Sequence, residues 1–351
     1  MSSADVVVPC YRYGLFLKEC VESVLAQAVP HVRVLIIDDA SPDCTADVAA
    51  DLARKDSRVT FWRHTTNQGH IQTYNEGIEW ASADYMMILS ADDYLLPGAL
   101  GRSMSLMDSH PEVGFTFGKA LVFHDNEIER PTRPVTDADS GVAWRVMKGL
   151  EFIDLNGSGN MVCTPTAVVR TELQKRLGGY RAELVHSGDL EMWLRFAANA
   201  SVGIVGEYQA VYRRHSRNMS LGYRAKGWLP DLVQRKAAFD CFFQTCGDAL
   251  PNAPELRRRL LRSLGCEILG FASEALNANE TEISHHLSAF ALDVSPELKW
   301  SLPWLKLNCK RYVGARMWRA IGSTRRENQP RHDGSGSCAG TQCIPRSRSE
   351  C

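Results

Sequence analysis

The chain has no run of 18 consecutive apolar residues, so no stretch of it is long enough to cross a bilayer as a helix. It has no excess of either charge: 40 Lys and Arg against 41 Asp and Glu leave a formal net charge of -1. That balance excludes the basic field that drives most nucleic-acid binding. There is no C-x-x-C pair, and the 11 cysteines, an odd number, have no Cys/His spacing that closes a zinc site. Scattered thiols of this kind fit a reduced, cytoplasmic setting. The opening residues MSSADVVVPC place no positive charge ahead of their short apolar run, which is not the pattern of a signal peptide. Without a secretory route, the three sequons at Asn156, Asn218 and Asn279 are expected to stay unmodified. No internal repeat is present.

What is there is an ordinary globular composition, 351 residues with 44% hydrophobic and 23% charged, enough for one large domain with an appendage or for two domains. The first part alternates strand and helix signals. Asp5–Val8, Val32–Ile37, Val59–Trp62, Asp84–Leu89 and Val113–Phe117 read as strands. Between them Leu17, Cys20, Val21, Val24, Leu25 and Ala28 recur at helical spacing. Ser41-Pro42 predicts a helix N-cap with proline at the first helical position. Ile71–Trp80 predicts a third helix and Pro97 opens a fourth. Near-continuous apolar strands separated by helices predict an α/β fold with a mostly parallel sheet covered on both faces. In such sheets ligands bind outside the carboxyl ends of the strands. Three of these ends are polar here: Pro9-Cys10-Tyr11, Asp38-Asp39-Ala40-Ser41 and Ser90-Ala91-Asp92-Asp93.

From about residue 120 the pattern becomes irregular, with a polar loop over Asp125–Ser140 and predicted strands at Met161–Val169 and Val202–Tyr212. Residues 223–321 read as helical. The stretch 323–351 is rich in Ser, Gly, Arg and Pro without apolar periodicity, and is expected to be disordered. The expected division is a catalytic domain over 1–220, a helical region over 221–322 and a tail over 323–351.

Asp92 and Asp93 stand side by side although adjacent acids repel. One of them is explained by a turn before a helix, whose N-terminus favours an acid. Two acids at the end of a buried strand, with Asp38 and Asp39 in the same layer, fit a hard cation better. Mg²⁺ and Mn²⁺ take oxygen ligands, typically one or two carboxylates plus substrate phosphates.

Pro9-Cys10-Tyr11, Ile36-Ile37-Asp38-Asp39-Ala40-Ser41-Pro42-Asp43, Asn67-Gln68-Gly69 with Asn75-Glu76-Gly77, and Ser90-Ala91-Asp92-Asp93 resemble, in order and spacing, the family 2 glycosyltransferases over roughly residues 4–220. The resemblance implies the GT-A nucleotide-sugar-binding fold. It also implies metal-assisted, inverting transfer of one sugar from a nucleoside diphosphate, a UDP-sugar first, to an acceptor hydroxyl of a carbohydrate or lipid-linked molecule. By position, Pro9 and Tyr11 would flank the nucleobase and ribose, and Asp39 or Asp38 would accept hydrogen bonds from the base. Asp92, the last acid of a D-x-D-like motif, would bind the metal, with Asp93 shaping the donor site. Ser90 stands where the first acid often does and brings a hydroxyl without charge. Asn67 and Gly69 would let backbone approach the donor. Tyr74 replaces the basic residue that often precedes the second asparagine, and His70 is a candidate substitute for phosphate contact.

A second cluster, His186-Ser187-Gly188-Asp189-Leu190-Glu191 up to Arg195, offers the base that inverting transfer needs to take the acceptor's proton. Glu191 lies four before Arg195 and is expected to form a surface ion pair with it, leaving Asp189, which matches the family's base position. Thr164, Pro165 and Tyr180 are candidates for the acceptor pocket. In Tyr212-Arg213-Arg214-His215, His215 is the candidate second metal ligand, with Arg213 or Arg214 toward phosphate. A Gln-x-x-Arg-Trp processive signature is missing, which favours transfer of a single sugar.

Three other classes compete with this reading. Asn156-Gly157-Ser158-Gly159 fails as a dinucleotide fingerprint because Val162 takes the last glycine position. A phospho-receiver domain does not account for the second acid pair. A catalytically inactive sugar-nucleotide-binding module acting as a partner subunit is the alternative that Ser90 and Gly188 motivate. Residues 302–321 combine Trp304, Leu305, Trp318 and Ile321 with Lys306, Lys310, Arg311, Arg316 and Arg319. Such a helix can pack on its own chain or lie peripherally on the inner face of a membrane.

Overall fold

The structure, a computed structural model, describes residues 2–124, 144–219 and 227–314. The expected loop at 125–140, the end of the basic helix at 315–321 and the expected tail at 323–351 lie outside the described residues. The chain forms two compact units, one of residues 1–155 with 160–221 and one of 156–159 with 222–351.

Among the described residues the first unit is built on a nine-stranded sheet in the order β3 (Val59–Arg63), β2 (His31–Asp38), β1 (Ser3–Cys10), β4 (Tyr85–Ile88), β8 (Val168–Arg170), β6 (Val113–His124), β9 (Ser201–Arg214) and β5 (Tyr94–Leu95), with β7 (Trp144–Met147) paired to β9. Its parallel half is β1 (Ser3–Cys10), β2 (His31–Asp38), β3 (Val59–Arg63) and β4 (Tyr85–Ile88). These strands are joined by α1 (Gly14–Leu25), α2 (Thr45–Lys55) and α3 (His70–Trp80). Val6, Val8, Val34 and Ile36 pack in one buried cluster with Leu17, Val21, Val24, Ala49 and Leu52 of α1 and α2. Val7, Leu35 and Ile37 are equally buried, as expected where helices cover both faces of a sheet. Side chains of this size each gain about 1.5–3 kcal/mol from full burial. Gly77 explains the close seat of α3 on β1, since a Cβ there would come within 2.3 Å of Val7 Cγ1.

Two local expectations give way to turn chemistry. The second helix starts at Thr45 rather than at Pro42, because Asp43 Oδ1 accepts the Thr45 amide at 3.1 Å, while Ser41 is spent on the Arg12 amide at 2.9 Å and on Asp38 Oδ1 at 3.0 Å. The strand expected over Met161–Val169 shrinks to β8 (Val168–Arg170), preceded by a 3-10 turn at Thr164–Thr166. Pro165 has no amide hydrogen to give to a sheet neighbour.

The other half of the sheet is mixed. A short β5 (Tyr94–Leu95) pairs antiparallel with β9 (Ser201–Arg214), and α4 (Ala99–Ser109) leads to β6 (Val113–His124), which runs parallel to β9. β7 (Trp144–Met147), β8, α5 (Gly149–Asn156), α6 (Thr171–Leu177) and α7 (Gly188–Asn199) complete it. α7 is anchored through aromatic rings: Trp193 stacks on Phe115 at 5.2 Å between centroids, and Phe196 meets Phe115 edge-on at 5.6 Å. That anchorage fixes the N-terminal turn of α7, which carries Asp189.

The second unit is helical: α8 (Leu229–Cys246), α9 (Ala253–Asn277), α10 (Thr281–Val294) and α11 (Leu302–Val313). Arg235 of α8 binds Glu267 of α9 with both terminal nitrogens, at 2.9 and 3.0 Å. Lys310 of α11 is buried and donates to the Ser273 carbonyl and hydroxyl, each at 2.8 Å. No described helix is long and apolar enough to cross a membrane.

Candidate active site

The carboxyl ends of β1, β2 and β3 carry a compact polar network. Pro9 is buried and Tyr11 is 42% exposed, free to offer its ring to a ligand. Asp38 is fully buried: Oδ1 accepts from the Ser41 amide and Oδ2 lies 3.2 Å from Arg63 Nε. Asp39 is saturated. It accepts from His64 Nδ1 at 2.7 Å, from the Gln68 amide at 2.7 Å and from the Gly69 amide at 2.8 Å, while Asn67 Nδ2 donates to its carbonyl at 3.2 Å. The other ring nitrogen of His64 meets Glu76 Oε2 at 2.8 Å. Burial works against a charge on this imidazole, but the bonds to Asp39 and Glu76 outweigh it and hold its pKa above the ordinary value. Asn67 and Gly69 thus belong to a loop that Asp39 shapes. Glu76 and His64 complete it, and His64 was findable in the sequence because it directly follows a strand end on the same edge.

The second centre lies past β4. Asp92 and Asp93 are buried. Asp92 Oδ2 accepts from His215 Nε2 at 3.1 Å and from Asn218 Nδ2 at 3.0 Å, while Oδ1 is buried with no hydrogen-bond partner. His215 stacks on Phe16 at 4.9 Å and meets Tyr13 edge-on at 5.4 Å. The Arg217 amide donates to His215 Nδ1 at 3.2 Å, which leaves the ring proton on Nε2 for Asp92. Asp93 Oδ1 accepts the Arg213 amide at 2.9 Å, and burial followed by the charge of Asp92 pushes its pKa well up. The Arg213 side chain is committed to Glu19 at 2.7 Å and lies over the Phe16 ring. Arg214 is exposed over the Tyr212 ring. Ser90 is half-buried, and its carbonyl receives the Asp93 amide at 3.0 Å.

Among the described residues no group of three or more His, Cys, Asp or Glu side chains gathers as a metal-ligand set. Asp92 nevertheless fits a hard cation, which draws most of its ligands from phosphates and water. Its Oδ1 is an orphaned buried acceptor, and leaving such a group unpaired costs about 1–3 kcal/mol or more for a charged one.

The third centre is Asp189 in the first turn of α7. Thr164 Oγ1 donates to its Oδ2 at 2.9 Å and the Tyr180 hydroxyl donates to it as well. Burial raises its pKa, and the two hydroxyls, then His70 and His186, work in the opposite direction. Thr164 and Tyr180, expected in the acceptor pocket, are therefore partners of this carboxylate. Tyr180 is held by Asn75, which accepts its amide at 2.7 Å and donates to its carbonyl at 3.0 Å. A Cβ on Gly179 would fall 2.2 Å from Asn75 Oδ1, so this clamp requires glycine there.

The expected surface pair of Glu191 and Arg195 is instead fully inside, at 0% and 2% exposure, with Nη2 to Oε2 at 2.7 Å. Arg195 also donates to the carbonyls of Leu177, Gly178 and Gly179. Those carbonyls explain the burial: the guanidinium ties the Gly178-Gly179 turn to α7 and needs the counter-charge of Glu191. His70 gives Nε2 to the Val185 carbonyl at 3.0 Å, on the Asp189 side of α3. Burial lowers its pKa.

Comparison with known proteins bears on the family and the fold. The sequence model described as Glycosyl transferase family 2 matches residues 5–178. An uncharacterized protein of Mycobacterium tuberculosis is 28% identical over 221 residues, 60% of this chain and 67% of the relative. Among solved structures, S. aureus TarS 1–349 in complex with UDP-GlcNAc superposes with a TM-score of 0.62 at 16% identity, over 93% of this chain and 92% of that one. The mannosyltransferase PcManGT from Pyrobaculum calidifontis, in complex with GDP-Man and Mn²⁺, gives 0.52 at 16% identity over 93% and 84%. At that identity the likenesses concern the fold, which is GT-A.

Proposed function

Because the chain belongs to the family 2 glycosyltransferases, we propose that it transfers one sugar, with inversion, from a nucleoside diphosphate donor to an acceptor hydroxyl, with a divalent cation at Asp92. The observation that carries this reading is that two differently dressed carboxylate centres lie near enough to act on one phenol. The Tyr74 hydroxyl lies in the field of Asp189 and in that of Asp92 and Asp93.

Asp189 acts as general base. Its carboxylate takes the proton of the acceptor hydroxyl while that oxygen attacks the anomeric carbon from the face opposite the diphosphate, and the bond from carbon to the phosphate oxygen breaks. Thr164 and Tyr180 aim the carboxylate, and burial brings its pKa closer to the range in which a base works well. At the donor end, Tyr11 offers a ring face to the base, and the buried acids at 38 and 39 with the Asn67–Gly69 loop line the nucleoside. Asp92 through Oδ1 would hold Mn²⁺ or Mg²⁺. His215 would be the second ligand, through Nε2 when that nitrogen carries no proton. A cation there supplies Lewis-acid stabilisation of the departing diphosphate. Support for a nucleotide-sugar donor comes from the solved neighbours that contain UDP-GlcNAc and GDP-Man, and a UDP-sugar is the first candidate.

The test is a thermal-shift panel of UDP, dTDP and GDP and their sugars on the full chain, with and without Mn²⁺. A ligand that binds the folded state raises the melting temperature with its occupancy. One nucleotide should give a shift that grows with Mn²⁺, and a panel without any metal-dependent shift would sink the reading.

A carbohydrate or lipid-linked acceptor is part of the same proposal, with peripheral contact at an anionic membrane surface through α11. Leu302, Leu305 and Tyr312 are 61, 52 and 95% exposed, and Trp300 just before them is 80% exposed. Lys306 is exposed on the same helix and the Lys299 ammonium lies over the Trp300 ring, 5.6 Å from its centre. Apolar and aromatic groups edged by lysine suit the headgroup region. Wild-type protein should sediment with phosphatidylglycerol vesicles and L305E/Y312S should not; equal sedimentation of both removes this face from the proposal.

A further inference from the structure

Residues 178–180 lie in no helix or strand, so their backbone polar groups have no ladder neighbours and must find partners elsewhere. Arg195 takes the carbonyls of Leu177, Gly178 and Gly179 at 2.6, 3.3 and 2.9 Å. The turn is thereby held up to Gly179 without help from α3. Tyr180 is left, and Asn75 of α3, 105 positions away in the chain, supplies both of its partners: Oδ1 accepts the Tyr180 amide at 2.7 Å and Nδ2 donates to the Tyr180 carbonyl at 3.0 Å. Among the described residues these two are all the hydrogen bonds that the Asn75 side chain makes.

We propose that Asn75 is a positioning residue for the base: by holding the Tyr180 backbone at both of its polar groups, it keeps the Tyr180 hydroxyl on Asp189. The proposal rests on the reading of Asp189 as the base.

What separates this role from ordinary turn packing is the residue that is held. A tie on Gly178 or Gly179 fixes only the path of the chain, whereas Tyr180 carries a side chain that ends on Asp189. Its ring is held as well. It is 7% exposed, edge-on to Tyr74 at 5.2 Å between centroids, and set against Gly188, where a Cβ would come within 3.1 Å of Tyr180 Cδ1. With backbone and ring both fixed, the phenol oxygen has one place to be. Releasing the backbone lets the ring tilt, and a hydrogen bond weakens steeply once its angle is lost. The other titratable groups that face Asp189 are His70 and Tyr74 of α3 and His186 just before α7, and Thr164 donates to it from the 3-10 turn. None of these is a hydrogen-bond partner of Asn75, so loss of Asn75 reaches the base through Tyr180.

A ¹³C NMR titration of the full chain, labelled at the aspartate carboxyls, tests this without any substrate; the Asp189 signal is the one that Asp189→Asn removes. In Tyr180→Phe the pKa of Asp189 should rise by about one pH unit, because a hydrogen bond to its charged form is lost. Asn75→Ala should give a rise of the same sign and similar size although Asn75 makes no bond to Asp189, and the double variant should rise no further than Tyr180→Phe alone. Asn75→Ser leaves a smaller gap and carries the same expectation where the alanine variant does not fold. A wild-type pKa in a folded Asn75 variant overturns the proposal, as does Tyr180→Phe without a rise. A double variant in which the two rises add also overturns it, since Asn75 would then reach Asp189 by a route that bypasses Tyr180. Normal turnover by Asp189→Asn would instead overturn the reading of Asp189 as base while leaving the titration intact, so the two failures are distinct.

Discussion

Asp92 and Asp189 both act on the phenol of Tyr74 but are surrounded by opposite kinds of donor. Asp92 is met by an imidazole and an amide N–H, and its neighbour Asp93 by a backbone N–H. Asp189 is met by hydroxyls, from Thr164 and Tyr180 among the described residues. Amide and backbone N–H groups can only donate, so they suit a group that only accepts. A hydroxyl donates to a carboxylate and can turn to accept from the acid. The Asp92 centre is thus a set of fixed donors, and the Asp189 centre can follow a proton on and off.

The largest expected effect comes from removing each centre in turn. Asp189→Asn keeps the size and polarity of the side chain but cannot take a proton, so turnover should fall by ~10²–10⁴-fold, with donor affinity in Mn²⁺ close to wild type. Asp92→Asn should do the reverse at the binding step: the metal-dependent gain in donor affinity disappears. Single-turnover kinetics with parallel donor titrations separate the two. If Asp189→Asn turns over normally, or if Asp92→Asn keeps its metal-dependent affinity, the division between the centres is lost.

That division was half legible in the sequence. The strand-end rule located Asp38-Asp39 and Asp92-Asp93 on one sheet edge, because strand ends follow directly from apolar runs and the turns that stop them. The same rule extends to His64, one residue past β3, although a lone histidine after a strand has no pattern of its own. Asp189 came from resemblance and helix-start chemistry, and the sequence could place it on a helix but not say what faced it. Thr164 and Tyr180 reach it from a 3-10 turn and a glycine turn, 25 and 9 residues away in the chain, and no periodicity encodes such contacts. The inward turn of Glu191 and Arg195 is the clearest failure. Spacing of four on a helix says that two charges meet, but only the carbonyls of the Gly178-Gly179 turn decide that they meet inside. Breaking one partner of such a buried pair costs about 3–5 kcal/mol, which is why the pair belongs to the fold as well as to the site.

A smaller effect tests the hydroxyl shell alone. Thr164 and Tyr180 donate to Asp189, so they favour its carboxylate over its acid and hold the pKa below the level that burial would otherwise impose. Tyr180→Phe or Thr164→Val removes one such donor and should therefore raise the pKa of Asp189. The base acts as carboxylate, and activity falls as pH drops through its pKa. The acid limb of the kcat/KM profile should thus move to higher pH in either variant, while the rate on the plateau stays near wild type. A hydrogen bond to a charged group contributes about 1.5–3 kcal/mol, and one pKa unit corresponds to about 1.4 kcal/mol, so the limb should move by about one pH unit. At the Asp92 centre no comparable substitution should move this limb, since its charge is not consumed in the proton transfer. An acid limb that stays fixed in both hydroxyl variants, or shifts to lower pH, would mean that these hydroxyls do not tune the base, and the contrast between the two centres would reduce to packing.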